Sequence, residues 1–189
     1  RVGGDAYFSP KDRSATIQDN WSQPEQEHFA IVQRARNTKG HNMMKRIALA
    51  ERPTGAPTDR NFRLEEIALP NPRDGEVLVE IHYMSLDPYM RGRMDDAKSY
   101  SSPVALNARM EAGGVGRVIK SASDRYEVGD YVFGMTGWAS HAVLQDKLVR
   151  KLDFAPEHLS RALGVLGMPG FTGWFGLNQH GRPKAGETL

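Results

Sequence analysis

Cysteine is absent from all 189 residues. Within this sequence that removes disulfides, thiolate nucleophiles and every zinc site that depends on sulfur. The six histidines, His28, His41, His82, His141, His158 and His180, form no HxH or HxxxH pair, so no metal ligands are expected. No 18-residue apolar run occurs, nor any leader with a basic start and an apolar middle, and the expected compartment is the cytoplasm. The 25 basic and 23 acidic residues leave a formal charge of +2 with no dense Lys/Arg block, which gives no footing for nucleic acid or a membrane surface. The P-loop pattern is missing, which excludes a P-loop ATPase, and no Gly-x-Ser-x-Gly elbow is available for a serine nucleophile.

What is present falls into three parts. Residues 1–42 are polar and of mixed charge, with short apolar pieces such as His28-Phe29-Ala30-Ile31-Val32 that bury too little to offset the ordering entropy of a core. They are expected to form a loosely ordered N-terminal extension, with a marginal helix over 25–36 whose acidic start and basic end suit the helix dipole. Residues 43–154 read as a domain of short apolar runs cut by turn residues. Strands are expected at 46–50, at 62–69 with Phe62, Leu64 and Ile67 inward, and at 76–84 with Val77, Val79, Ile81 and Tyr83 on one face. Pro70-Asn71-Pro72-Arg73-Asp74-Gly75 makes the turn between the last two. Further strands are expected at 113–120, at the end of 126–134, at 138–144 and at 148–152. Short strands at close spacing with glycine at the corners argue for a small barrel or compact sheet.

In the third part, 155–189, the period becomes helical. Leu159, Ala162, Leu163 and Leu166 share a face over 156–166, and a second helix begins at Pro169 with Phe171, Trp174, Phe175 and Leu177. Trp138 and Trp174 are most simply core residues. The closing Ala185-Gly186-Glu187-Thr188-Leu189 reads as half of a buried strand, and the expectation is a piece of a larger α/β protein.

Several motifs touch on chemistry. Gly114-Val115-Gly116 invites a nucleotide-loop reading, but the third glycine of that fingerprint would fall at Ile119 and the stretch runs into a strand, so these glycines are read as structural. Gly167-Met168-Pro169-Gly170-Phe171-Thr172 joins two helices. It suits either tight packing or a ligand such as a carboxamide held by backbone N–H groups and the Thr172 hydroxyl, and composition does not decide between them. Asp87 and Pro88 stand where a helix is capped and begun, ahead of Tyr89, and Asp87 with Arg91 reads as an i,i+4 pair. Tyr89 and Tyr100 are phenols on irregular segments. Either can donate to a substrate carbonyl, and either can equally be a packing residue.

The runs Ser85-Leu86-Asp87-Pro88-Tyr89-Met90-Arg91-Gly92-Arg93-Met94 and Leu163-Gly164-Val165-Leu166-Gly167-Met168-Pro169-Gly170-Phe171-Thr172-Gly173-Trp174-Phe175-Gly176-Leu177 resemble the zinc-independent medium-chain dehydrogenase/reductases. Within them the likeness is to the branch of prostaglandin reductases, leukotriene hydroxydehydrogenase and curcumin reductase, and it runs from about Lys45 to Leu189. The resemblance implies a mainly β GroES-like barrel with flanking α, followed by linker helices that lead into a Rossmann domain, absent or truncated here. It implies NADP(H) as cofactor, with most of its site outside this chain, and hydride transfer to the double bond of an enone or enal. A homodimer of the full-length protein is compatible with it. By position, Tyr89 and Tyr100 match residues on the substrate side of the cleft, and Met168 and Thr172 match the segment beside the nicotinamide. The fragment alone is expected to be inactive. A non-catalytic GroES-like interaction module and an inactive truncated product stay open as alternatives.

Overall fold

The computed structural model describes residues 42–97, 101–153 and 155–188. The chain divides after Gly40, and the described residues all lie in the second unit, His41–Leu189. Tyr100, Leu189 and all but the last residue of the expected extension lie outside the described residues.

Seven strands occur among the described residues: β1 (Met43–Leu49), β2 (Phe62–Ala68), β3 (Glu76–Met84), β4 (Gly114–Ala122), β5 (Tyr131–Gly134), β6 (His141–Gln145) and β7 (Arg150–Lys151). β1 and β2 form an antiparallel pair, Met43 opposite Ala68 and Leu49 opposite Phe62. The other five form one antiparallel sheet in the order β6-β3-β4-β5-β7. The free side of β1 ties the two sheets together. Ile47 N–H donates to the Trp138 carbonyl at 2.9 Å, Ser140 N–H donates to the Lys45 carbonyl at 2.8 Å, and Met110 N–H donates to the Ile47 carbonyl at 3.0 Å.

Burial follows from position in the sheet. β3 is bonded on both sides, and Val77, Leu78 and Val79 are all fully buried. The one-sided alternation expected for β3 does not hold, because register shifts at Leu78/Val79 and Ile81/Tyr83 turn its side chains out of period, leaving Tyr83 exposed. Leu64, expected inward, is exposed on β2, which among the described residues pairs with β1 alone. Three apolar clusters make up the core. Val77, Val79, Val118, Tyr126, Val132 and Val149 pack in one; Leu49, Met94, Val104 and Met110 in a second; Val115, Leu152, Leu159 and Ala162 in a third. Each fully buried aliphatic side chain contributes about 1.5–3 kcal/mol. The Tyr126 hydroxyl donates to the Val149 carbonyl, so the one phenol in this core is satisfied.

Gly114 and Gly116 are structural, as the sequence indicates. A Cβ on Gly114 would lie 2.0 Å from Thr136 Oγ1, and one on Gly116 would lie 2.0 Å from the Glu80 carbonyl oxygen. The helical segments are shorter than the periodicity suggests. Pro156–Leu163 is a 3-10 helix that buries Leu159 and Ala162, but it ends at Gly164, so Leu166 falls beyond it and is exposed. Two α-helices are present among the described residues, α1 (Tyr89–Arg93) and α2 (Met168–Phe175), the latter continuing as a π-helical turn over Gly176–Gly181. No helix among the described residues is long and apolar enough to cross a membrane.

Candidate functional site

Of the four residues singled out for the site, Tyr89 opens α1, Met168 and Thr172 ride on α2, and Tyr100 lies outside the described residues. A five-residue helix cannot hold itself in water, so α1 depends on its surroundings. Its own Met90 and Met94 next to it are buried, and Met94 joins the Leu49, Val104 and Met110 cluster. Three arginines then clamp the segment. Arg52 Nη1 donates to the Met94 carbonyl at 2.6 Å. Arg91 donates from Nε and Nη2 to the Gly55 carbonyl at 3.0 and 2.8 Å, and from Nη1 to Asp95 at 2.6 Å. Arg93, 9% exposed, grips Glu111 with Nε at 2.8 Å and Nη2 at 2.6 Å, and its Nη1 is buried with no partner among the described residues.

Two expectations change here. Arg91 takes Asp95 as its i,i+4 partner in place of Asp87. Pro88 is the capping residue instead of the first helical one, and Asp87 supplies its carbonyl to Met90 N–H at 3.1 Å, with no side-chain cap. The net effect places Tyr89, half-buried, on a short turn tied to Gly55 through Arg91, to Glu111 through Arg93 and to Arg52 through the Met94 carbonyl. The Arg93–Glu111 pair carries no local sequence signal, because its members stand 18 residues apart.

The start of α2 is a place of close backbone approach. A Cβ on Gly167 would lie 2.1 Å from the Ala162 carbonyl oxygen, and one on Gly170 would lie 1.9 Å from that of Val165. The Gly170 N–H donates to the Gly164 carbonyl at 3.1 Å and the Phe171 N–H to the Gly167 carbonyl at 3.0 Å. Tight packing therefore accounts for these two glycines and engages both of these N–H groups. The Thr172 hydroxyl donates back to the Met168 carbonyl at 2.8 Å, which brings the two predicted cofactor-side residues onto one face and leaves the hydroxyl oxygen as an acceptor.

Beside them the helix is apolar and uncovered. Met168 is 63% exposed, Phe171 64%, Trp174 59% and Phe175 44%. Phe171 stacks on Trp174 with ring centroids 6.2 Å apart and meets Phe175 at 6.1 Å. Trp174, expected in the core, is thus on the surface. Trp138 is part of the core, against Phe62 at 5.3 Å. The reason for the difference is placement: Trp138 is tied to β1 and packs against a buried cluster, whereas Trp174 lies on a face of α2 that stays mostly exposed among the described residues.

The described fold is mainly β, with Tyr89 on α1 and Met168 and Thr172 on α2. The profile of the N-terminal domain of oxidoreductase family matches residues 45–152, and the chain belongs to that family, in the zinc-independent branch of the medium-chain dehydrogenase/reductases. It is 49% identical over 145 residues to the NADPH-dependent curcumin reductase of Escherichia coli (strain K12), covering 77% of this chain and 42% of that protein. It is 39% identical over 138 residues to prostaglandin reductase 1 of Rattus norvegicus, covering 71% of this chain and 40% of that protein. The crystal structure of CurA from Vibrio vulnificus in complex with NADPH superposes with a TM-score of 0.70 at 48% identity, covering 77% of this chain and 43% of that one. The mainly β domain is therefore of the GroES-like kind found at the N-terminus of these enzymes. The chain spans about two fifths of the length of the relatives it matches.

Proposed function

We propose that this chain is the substrate-side portion of an NADPH-dependent reductase that saturates the C=C bond of α,β-unsaturated ketones and aldehydes. In this reading residues 43–154 are the substrate domain, 155–189 lead into a cofactor-binding portion, and 1–42 are an N-terminal extension; the whole protein acts as a homodimer in the cytoplasm. The observation that carries the reading is the uncovered ridge of Met168, Phe171, Trp174 and Phe175 beside Thr172. An apolar ridge of that kind on a soluble fold marks a surface meant to be covered, and the matched relatives are named as NADPH-dependent or prostaglandin reductases.

The described residues fit the nicotinamide end of the cofactor. Met168 offers an apolar thioether, and the Thr172 oxygen accepts a hydrogen bond from an amide. They include no glycine-rich turn opening a helix that would seat a pyrophosphate, since Gly114 and Gly116 sit in β4. NADPH, when bound, supplies the hydride. The Tyr89 hydroxyl donates to the carbonyl oxygen and stabilises the negative charge that develops there, a role the resemblance extends to Tyr100.

On its own the 189-residue chain is expected to bind NADPH weakly or not at all in calorimetry; tight, stoichiometric binding would refute the claim that most of the site lies elsewhere. Joining the chain to the part of the Escherichia coli curcumin reductase that it does not match is expected to give enone-dependent loss of NADPH absorbance. In that fusion Tyr89→Phe should lower kcat about 10- to 100-fold with little change in NADPH affinity. A folded fusion that binds NADPH yet reduces no enone or enal sinks the reaction class, and an unchanged Tyr89→Phe variant sinks the role of the phenol.

A further inference from the structure

One face of β1 and β2 carries a charge imbalance that the reductase reading does not use. Backbone register sets two rows across three neighbouring segments: Arg63, Ala48 and Arg109 in one, and Glu65, Arg46 and Ala139 in the next. Register partners share a face, and rows two residues apart lie side by side on it. Three guanidiniums and one carboxylate therefore meet on one side of the sheet.

The carboxylate is already occupied. Glu65 Oε2 accepts from Arg46 Nε at 2.7 Å, and Oε1 accepts from Arg63 Nη2 at 2.6 Å and Nε at 3.0 Å. Those bonds hold its carboxyl below the usual range. Arg63 also donates to Asn107 Oδ1 at 2.9 Å. Arg109 has no ion pair or side-chain hydrogen bond among the described residues. Its side chain is nonetheless partly buried and lies along Gly137, where a Cβ would come within 2.4 Å of Nε and 2.9 Å of Cδ. Gly137 also has φ +67°, so both its backbone and its missing side chain suit the seat of this guanidinium. Burial first, and then the charge of Arg46, push Arg109 below its ordinary value. A half-desolvated cation beside a second one is an arrangement that a bound anion relieves.

We propose that the Arg46–Arg63–Arg109 face of β1 and β2 is an anion site that takes a tetrahedral oxyanion, either inorganic phosphate or the phosphate group of a small metabolite. The planar guanidinium fork matches the spacing of phosphate oxygens, and two forks at right spacing grip one such group. The site uses no residue of α1 or α2, and it stands or falls independently of the reductase reading.

The test is a titration of the 189-residue chain with inorganic phosphate at constant ionic strength, read by Tm and by the arginine Nε–Hε resonances. A saturable rise in Tm with shifts at Arg109 and Arg46 is expected, and sodium chloride at matched ionic strength should show no saturation. Arg109→Gln should weaken phosphate binding about tenfold or more, the loss of a charged hydrogen bond. Glu65→Gln releases Arg46 and Arg63 from their carboxylate and should tighten binding several-fold. Glycerol 1-phosphate binding more tightly than phosphate assigns a phosphorylated metabolite, and the reverse order assigns the free ion. The proposal is overturned by a wild type with no saturable response, by acetate saturating as strongly as phosphate, or by an unchanged Arg109→Gln variant, which would mean an adventitious ion only. Where Arg109→Gln does not fold, Glu65→Gln decides, and unchanged or weaker binding by that variant overturns the proposal.

Discussion

His141 on β6 stands opposite Glu80 of β3, with its Nδ1 2.9 Å from Ser140 Oγ. Burial pushes its imidazole below the ordinary value of 6.5, and the charge of Glu80 opposes that shift. The fold thus prefers the neutral ring. Its stabilisation is complete above the unfolded value and is lost as the pH falls through the folded one. Glu65 and Asp130, both held low by hydrogen bonds from basic partners, lose theirs only at more acidic pH, below their ordinary 4.5 and 3.8. Urea midpoints should therefore fall between about pH 7.5 and about pH 5.5, and His141→Gln should flatten that slope. Equal slopes in the two proteins would show that another group titrates. At this scale the family was legible because Tyr89 and Thr172 each sit in a long motif that carries the resemblance. Arg93 with Glu111, and Arg109 over Gly137, were not, because each is made by segments that only folding brings together.

Among the elements, α1 shows how little a helix of five residues contributes on its own. Its position comes from the burial of its own Met90 and of Met94 next to it, from its Arg91 and Arg93 reaching Gly55 and Glu111, and from Arg52 on the Met94 carbonyl. Glu111→Ala leaves the Arg93 guanidinium buried with no acceptor and should destabilise the chain by about 1–3 kcal/mol in urea unfolding. The double variant Arg93→Met, Glu111→Leu should recover much of that loss, since an apolar pair carries no desolvation penalty. If the double variant is no better than the single one, the pair does more than hold α1 in place. The strands between 43 and 151 were legible from alternation and turn residues, apart from the facing of side chains along β3. There the two register shifts against β4 broke the period that the residues suggest. The half strand expected at 185–189 does not form among the described residues, where Ala185 and Gly186 make a turn.

Taken as a whole, the described unit has three buried clusters under its sheets and an aromatic ridge on α2 that none of them reaches. Replacing Phe171 and Trp174 together with Ser should reduce the binding of a hydrophobic dye severalfold while moving stability by no more than about 0.5 kcal/mol, because these side chains bury little in this chain. In the fusion described above, the same pair of substitutions should raise the Kd for NADPH or weaken the contact between the two parts. A large drop in the stability of the 189-residue chain would mean that the ridge is packed after all.

Local chemistry alone determined most of the strand runs, the turn at Gly75 and the two motifs that mark the family, because each depends on neighbours within a few residues. The tertiary structure decided which apolar residues are core. Leu159 and Leu166 belong to one sequence stripe, and so do Trp138 and Trp174 to one residue type, yet one of each pair is packed and the other open to solvent. Burial is a property of what lies opposite a side chain. That partner comes from distant segments and leaves no periodic trace in the residues themselves.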